Sequence, residues 1–538
     1  MTGESAVIVV GSGASGVMAA HRLLDGCLDV LMLDAGSIDD RYAGTIPQLP
    51  YADLRRNDKD QHTYLLGFEY EGVDIGKTGP LAQVTTTRQH VFRRAAEWLH
   101  VKSDGFTAVE SLAPGGLAEA WGAVSFPFTE SELRRCALDP VEMAQHYESV
   151  AALIGISGER DDLTPWRGAL DTLQPSLPPD PNAAAILARY ERHRERFQHR
   201  GLRMGRALLA MLSKPLGARE RNPEYGLDYW NNLGDSVFRP SLMLRLLRCR
   251  PNFLCRHGIL VTRFRESPRE LVEVEGIDLG SRSKVVFRGR QVVLAAGALG
   301  TTRIVLRSLD RYNTPTPLTC NEHAYIPSIR LAGVGAPLPE RAHALAQLTA
   351  MYDPSGDQEH LAQAQIYSFT GLPLARLLKE SPLPYRESIQ IFAALATSFV
   401  ILVTQYEALP SPTKWCVLRH GASDEEDVLE IGYRVSSQEL ETQRSAERAF
   451  SSALRTSGCW PLRVVRPGPG ASVHYGGTLP LSIADQPLTL ARDGRLRETR
   501  RVYVADGAGL PYLPAKGPTL TLMANAYRVA ERIVERRA

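Results

Sequence analysis

The chain opens with a strand, a glycine-rich turn, a helix and a second strand in direct succession, and no other passage limits its fold as much. Residues 6–10 (AVIVV) are short, continuous and β-branched, the pattern of a strand buried on both faces. Gly11, Gly13 and Gly16 follow in the run GSGASG, then an apolar-periodic stretch over residues 17–24, then a second strand over residues 29–34. Gly11 permits the tight turn. Gly13 lets the backbone N–H groups of the helix start, at Ala14 and Ser15, approach a pyrophosphate, and Gly16 lets the helix lie close to the strand. Asp34 ends the second strand with Ala35 behind it, placed to hydrogen-bond a ribose hydroxyl pair; an acid there disfavours a 2′-phosphate. A packing turn accounts for the glycines but not for strand, helix, strand and terminal acid in register. The unit predicts an α/β fold with a Rossmann-like dinucleotide site.

A length of 538 residues suggests two to four domains. Lys+Arg at 62 nearly balances Asp+Glu at 60, so nothing in the charge calls for nucleic acid or an acidic surface as partner. The seven cysteines are scattered and lack zinc-like spacing, which predicts reduced thiols, no metal site and a cytoplasmic protein. No signal-like segment precedes the first strand. Residues 388–404 are apolar but interrupted by Gln390, Thr397 and Ser398, and fall short of a membrane span. They read as a buried helix running into a strand, with peripheral membrane contact as the alternative. Residues 189–206, dense in Arg and His, read as a solvated helical face, with a phosphate-bearing substrate contact as the sharper alternative. The acidic run 420–427 reads as a solvated turn. Residues 140–215 read as mainly helical, and strands are expected near 252–265, 270–295, 399–406, 414–419 and 428–434.

Four further passages carry candidate chemistry. Residues 111–128 are punctuated by Gly115, Gly116, Trp121 and Gly122. Residues 292–306 repeat the strand–glycine–helix pattern around Ala296 and Gly297, either as one more crossover or as a strand end passing close to the same ligand. His474 stands among small residues. Near the C-terminus a strand ends at Asp506-Gly507, a Pro/Gly loop follows, and a helix opens at Pro518 and Thr519 with no acid in its first turn.

In combination and order, these passages resemble the flavoproteins of the glucose–methanol–choline (GMC) oxidoreductase superfamily. The glycines from Gly115 to Gly122 resemble the loop that runs beside the flavin, and residues 252–263 resemble the strand whose valine, here Val261, meets the adenine. The resemblance implies FAD, held by a discontinuous domain of residues 1–50, 95–130, 240–310 and 466–538. It implies a sheet-and-helix (α+β) substrate domain of residues 131–239 and 311–465, with residues 51–94 as a lid or connecting segment. It implies oxidation of a CH–OH group of a small molecule, with hydride passing to flavin N5 and His474 taking the hydroxyl proton. The sequence departs from the family in two places. The loop at His474 reads HYGGT where the family pattern is His-Pro-x-Gly-Thr, and the second catalytic position, usually His or Asn, is Gly517, with Lys516 beside it as a possible replacement. No histidine in residues 115–122 matches the flavin-attaching one of some relatives, so the FAD is expected to be non-covalent. A redox-neutral flavoenzyme and a non-catalytic flavin-binding partner stay open as alternatives. Electron acceptor, substrate identity and oligomeric state are not written in these motifs.

Overall fold

The computed structural model describes the chain except residues 1–6, 37–40, 43–44, 71–83, 169, 268–269, 358–360, 369–380, 425 and 537–538. Part of the expected 51–94 segment therefore lies outside the described residues. A five-stranded parallel sheet runs in the order Val502–Val504, Gln291–Leu294, Val7–Val10, Val30–Asp34, Phe253–His257. Its inner strands are buried almost throughout, which is why they are apolar at consecutive positions rather than alternate ones. The helices Ala14–Asp25 and Thr519–Glu535 pack against each other, so the first and last helices of the chain share one core.

A second layer is a six-stranded antiparallel sheet: Cys459–Pro461, His323–Arg330, Phe399–Tyr406, Ala362–Ser368, Leu348–Tyr352, Leu202–Arg206. Side chains of a strand alternate between faces. Ala324, Ile326, Val400, Leu402, Ala364 and Ile366 form one buried face, in a core shared with helices Pro181–Arg192 and Ser437–Thr456. The register pairs His323 with Gln405, Tyr325 with Val403 and Tyr367 with Ile401, and these residues take the opposite face, towards the parallel sheet.

A small sheet joins Thr316–Pro317, Lys414–Arg419, Val428–Tyr433 and His100–Asp104. Its Cys416, Leu418, Leu429 and Ile431 belong to the same core as the parallel sheet, as do Met143, Val150 and Ile154 of helix Pro140–Ile154.

Several local expectations are corrected. Helix Tyr385–Leu395 does run towards strand Phe399–Tyr406, but it is not buried: Ile389 and Ile391 are 41% and 44% exposed, because the helix lies at the cavity rim with Phe392 turned inward. Residues 202–206 form a strand, their alternating Leu202 and Met204 being drawn into the antiparallel core. The rest of the basic stretch 189–206 is short helix, and none of it lines the cavity. The acidic run is an exposed turn at His420, Ala422, Ser423 and Glu426, but its last acid is not solvated. Asp427 is buried and accepts hydrogen bonds from Arg307 Nε (2.8 Å), the Tyr312 hydroxyl (2.9 Å) and the Gly421 N–H (3.0 Å), since a buried guanidinium requires a partner.

The glycines of the first turn predict a contrast. A Cβ on residue 16 would stand 1.9 Å from the Gly11 carbonyl oxygen, whereas one on residue 13 would meet nothing nearer than the Gly115 oxygen at 3.8 Å. Chemical denaturation is expected to show Gly16→Ala destabilised by about 3 kcal/mol or more, and Gly13→Ala changed by no more than about 1 kcal/mol.

Candidate active site

Between the two sheets lies a cavity of about 1270 Å³, lined by segments from both ends and the middle of the chain. A pocket for one small molecule is typically about 300–1,000 Å³, so this one has room for two ligands side by side.

At one end the first glycine turn, the acid and the 115 loop are tied together. The Ser12 N–H donates to Asp34 Oδ2 (2.8 Å), the Gly36 N–H donates to Oδ1 (2.8 Å), and the Gly115 N–H donates to Ser12 Oγ (2.9 Å). Gly11 has φ +97°, and a Cβ there would lie 2.5 Å from the Ala295 oxygen. Gly13, Ala14, Ser15, Asp34, Ala35, Val261, Ala296 and Gly297 line the cavity; Gly16 does not, being pressed against Gly11.

Three helix N-termini open on this space: Ala14–Asp25 after Gly13, Ala298–Ser308 after Gly297, and Thr519–Glu535 after Pro518. None has a side-chain cap or an acid in its first turn. The helices Glu130–Arg135, Pro140–Ile154, Pro181–Arg192 and Ser437–Thr456 are capped by Thr129, Asp139, Asp180 and Ser436, while Pro240–Leu247 and Tyr385–Leu395 are also without a side-chain cap. Free N–H groups and the positive end of the dipole make each uncapped terminus an anion site. Asp506, also at the wall, is buried and accepts from the Thr301 hydroxyl (2.5 Å) and the Ala508 N–H (3.0 Å); burial pushes its carboxyl up to about 6. Gly115, Gly116, Trp121, Gly122, Gly507, Gly517, Pro518 and Thr519 complete this side, with Trp121 Nε1 donating to the Phe238 carbonyl at 2.8 Å.

His474 lines the middle of the cavity. Its ring is half-buried, Nδ1 is enclosed without a hydrogen-bond partner, and burial pulls the imidazole down to about 4. The preceding Val473 holds φ +64°, a conformation a β-branched residue adopts only under constraint. Gly517 is the neighbour of this ring, since a Cβ there would be 3.9 Å from His474 Cε1. Lys516 is not brought to the site. Its ammonium is buried in the opposite direction, donating to Glu132 Oε2 (2.7 Å) and the Pro127 carbonyl (3.2 Å). Burial draws Lys516 below its ordinary range, and the Glu132 carboxylate opposes that.

Residues that motif reading missed come mainly from the antiparallel sheet. His323, Tyr325, Gln365, Tyr367 and Gln405 line the cavity, joined by Tyr229, with the His323 ring edge to face with that of His474. Tyr367 donates to Gln365 Oε1 at 2.6 Å. The signal available for them was the alternation His323, Tyr325, Pro327 against Ala324, Ile326, Ser328, which assigns the first three to one face.

No protein-family model matches the chain. It is similar to paromamine 6'-oxidase of Streptomyces fradiae, 24% identical over 549 residues that cover 98% of this chain and 91% of that protein. It is equally similar to 6'''-hydroxyparomomycin C oxidase of Streptomyces lividus, 24% identical over 542 residues with the same coverage. Among solved structures, pyridoxine 4-oxidase from Mesorbium loti matches with a TM-score of 0.60 at 15% identity, over 98% of this chain and 99% of that one. That likeness is one of fold.

The buried imidazoles give stability a definite pH dependence. Burial holds His474 at about 4, and burial also holds His343 and, with the His474 ring adding to it, His323 at about 3; an unfolded histidine takes up its proton near 6.5. The unfolded chain therefore binds more protons than the fold on acidification, and the contribution of these groups, full above about pH 6.5, declines as pH falls towards 4. Urea unfolding of the ligand-free protein at pH 7 and pH 5 is expected to show a loss of stability that is smaller by about 1–3 kcal/mol in the double variant His323→Asn/His474→Asn.

Proposed function

We propose that the chain, a divergent member of the GMC oxidoreductases, is an FAD-dependent enzyme that oxidises a CH–OH group of a hydroxylated small molecule. The observation that carries this reading is the pairing, in one cavity, of a dinucleotide-type cradle with a half-buried imidazole, both built from segments spanned by the similarity to the two oxidases.

The residues present fit FAD. Gly13 leaves open the space a side chain would occupy before an uncapped helix, which suits a pyrophosphate. The Asp34 carboxylate stands at the wall for ribose hydroxyls and Val261 for the adenine. A Cβ at Gly297 would meet nothing within 4 Å, and the first turn of Thr519–Glu535 offers free N–H groups to the electron-rich edge of the flavin. The cradle is best read as holding the cofactor non-covalently, with residues 1–50, 95–130, 240–310 and 466–538 as its main source.

When bound, the flavin supplies the hydride acceptor. His474 takes the hydroxyl proton; with Nδ1 enclosed, Nε2 is the ring nitrogen left to receive it. Burial keeps the ring unprotonated at neutral pH and so free to accept, while making it a weaker base than a free imidazole; a positioned general base contributes about 10²–10⁴-fold. The antiparallel sheet supplies the substrate wall. Tyr325, Gln365, Tyr367 and Gln405 give it hydrogen-bonding groups, and Phe399, Ile401 and Val403 give it an apolar half. That mixture suits a sugar, a glycoside or a natural-product intermediate. The relatives are named for paromamine, 6'''-hydroxyparomomycin C and pyridoxine. No helix among the described residues is long and apolar enough to cross a membrane, and we place the enzyme in the cytoplasm.

Anaerobic mixing of the flavin-loaded protein with a panel of sugars, aminocyclitols and aromatic alcohols is expected to bleach the flavin with at least one of them. His474→Ala is expected to keep the flavin spectrum while slowing that bleaching about 10²–10⁴-fold. Turnover of the panel with no external acceptor and no bleaching would point instead to redox-neutral chemistry. Absence of both would leave a non-catalytic flavin protein.

A further inference from the structure

The cavity face of the antiparallel sheet changes character along its length, and the register sets it out in rows. His323 pairs with Gln405, and the His323 ring meets that of His474 edge to face. The next row is Tyr325, Val403 and Gln365, and the one after it is Pro327, Ile401 and Tyr367. Phe399 begins the central strand, just after the rim helix Tyr385–Leu395. All of these residues line the cavity. The polar side chains therefore gather towards the His474 end. Tyr367 adds to this, because its hydroxyl donates to Gln365 Oε1 (2.6 Å), one row nearer to His474.

Towards the rim the face is apolar. Val403, Ile401 and Phe399 form a strip down the central strand, with Pro327 in register beside Ile401 and Phe392 of the rim helix turned inward. Leu462, whose N–H donates to the Pro327 carbonyl (2.9 Å), lines the cavity while being exposed, as does Leu383, so the strip ends at an opening. Gln405 and Phe399 stand six positions apart on one strand, about 20 Å at a strand's rise per residue.

Charge is distributed in the same sense. Among the described residues the carboxylates that line the cavity are Asp34, Glu110, Asp424, Asp427 and Asp506, and none comes from the antiparallel sheet. Each already accepts hydrogen bonds from the protein: Asp34 from backbone N–H groups, Glu110 from Arg303, Asp424 from Arg263, Asp427 from Arg307, Asp506 from Thr301. At the opening stands a cation, the exposed Arg463 next to Leu462. Hydroxyl or ammonium groups carried along the strip would lose water without gaining partners, whereas methylene groups gain by leaving water.

We propose that the substrate is an uncharged, amphipathic alcohol, with its hydroxyl-bearing head at His474 and an apolar alkyl or aryl body laid along Val403, Ile401 and Phe399 to the opening. The proposal rests on the alcohol-oxidation reading and narrows it. A glycoside with an apolar aglycone fits this wall; a free sugar or a polyamino sugar does not.

The test uses the flavin-loaded enzyme and two homologous series, 1-butanol to 1-decanol and methyl to nonyl β-glucoside. In at least one series the half-saturating concentration for anaerobic bleaching is expected to fall about threefold to fourfold for each added methylene, the worth of burying one. A matched pair tests charge: 4-amino-1-butanol is expected to act at least roughly 10²-fold less efficiently than 1-pentanol, because its ammonium would be carried into the strip. Ile401→Ser and Phe392→Ala are each expected to keep flavin and to cut the gain per methylene to less than about twofold. Phe392 lies on the exposed rim helix, so its truncation leaves the core intact. A readout without turnover is calorimetric titration of dithionite-reduced enzyme, where the longer members are expected to bind more tightly and with a negative heat-capacity change. Bleaching that does not depend on chain length, or that occurs with a polyhydroxyl or polyamino sugar and with neither series, overturns the substrate class and leaves alcohol oxidation standing. A chain-length gain that both variants retain overturns the placement of the body along this strip. A wild type that no alcohol or sugar bleaches overturns the oxidation reading and this proposal with it.

Discussion

The parallel pairing of Gln291–Leu294 with Val7–Val10 on one side and Val502–Val504 on the other is the constraint from which the rest of the molecule follows. Three pieces of chain, widely separated in sequence, become neighbours in one buried sheet. Their following turns then open on the same space: Gly11 after the first, Ala296 and Gly297 after the second, Asp506 and Gly507 after the third. In an open α/β sheet ligands bind outside the carboxyl ends of the strands, and here those ends are supplied by the beginning, middle and end of the polypeptide. Helix Thr519–Glu535 closes the arrangement by packing on Ala14–Asp25, where Gly26 lies against Val534 with no room for a Cβ.

The antiparallel layer contributes a surface of different character. Its period of two separates a core face from a cavity face, on which His323, Tyr325, Gln365, Tyr367 and Gln405 stand beside Phe399, Ile401 and Val403. Register, not proximity in sequence, decides which of these meet: His323 stands beside Gln405, and Tyr367 beside Ile401. The cavity thus lies between a wall rich in backbone N–H groups and glycines and a wall that carries side-chain donors and acceptors. His474 and His323 come from different segments and meet edge to face, with ring centroids 5.7 Å apart.

Much of the parallel-sheet half was legible from sequence, because its turns are written in backbone requirements. Gly11 needs a positive φ, Gly16 needs contact with Gly11, and both demands leave glycine in a fixed place after a buried strand. The strands at 414–419 and 428–433 were legible for a similar reason, as short apolar runs bounded by turns. Side-chain direction across the layers was not. Lys516 adjoins the site in sequence but points to Glu132, a residue from another segment that no local pattern pairs with it. The acidic run was taken for solvent because its partner Arg307 lies on a helix far away in sequence. His323 is a lone histidine at a strand start, and it comes beside His474 because the nearby Thr319–Cys320 pairs antiparallel with Tyr475–Gly476.

The central claim is that these distant segments form a single cradle for one flavin nucleotide. Titration of flavin-free protein with FAD, followed by quenching of flavin fluorescence, tests it most directly when repeated on Asp34→Ala and on Gly13→Val. One FAD per chain for the wild type, with markedly weaker uptake by both variants despite intact folding, is the result the account predicts. A folded wild-type protein that takes up no FAD, or variants that bind it as tightly as wild type, would contradict it.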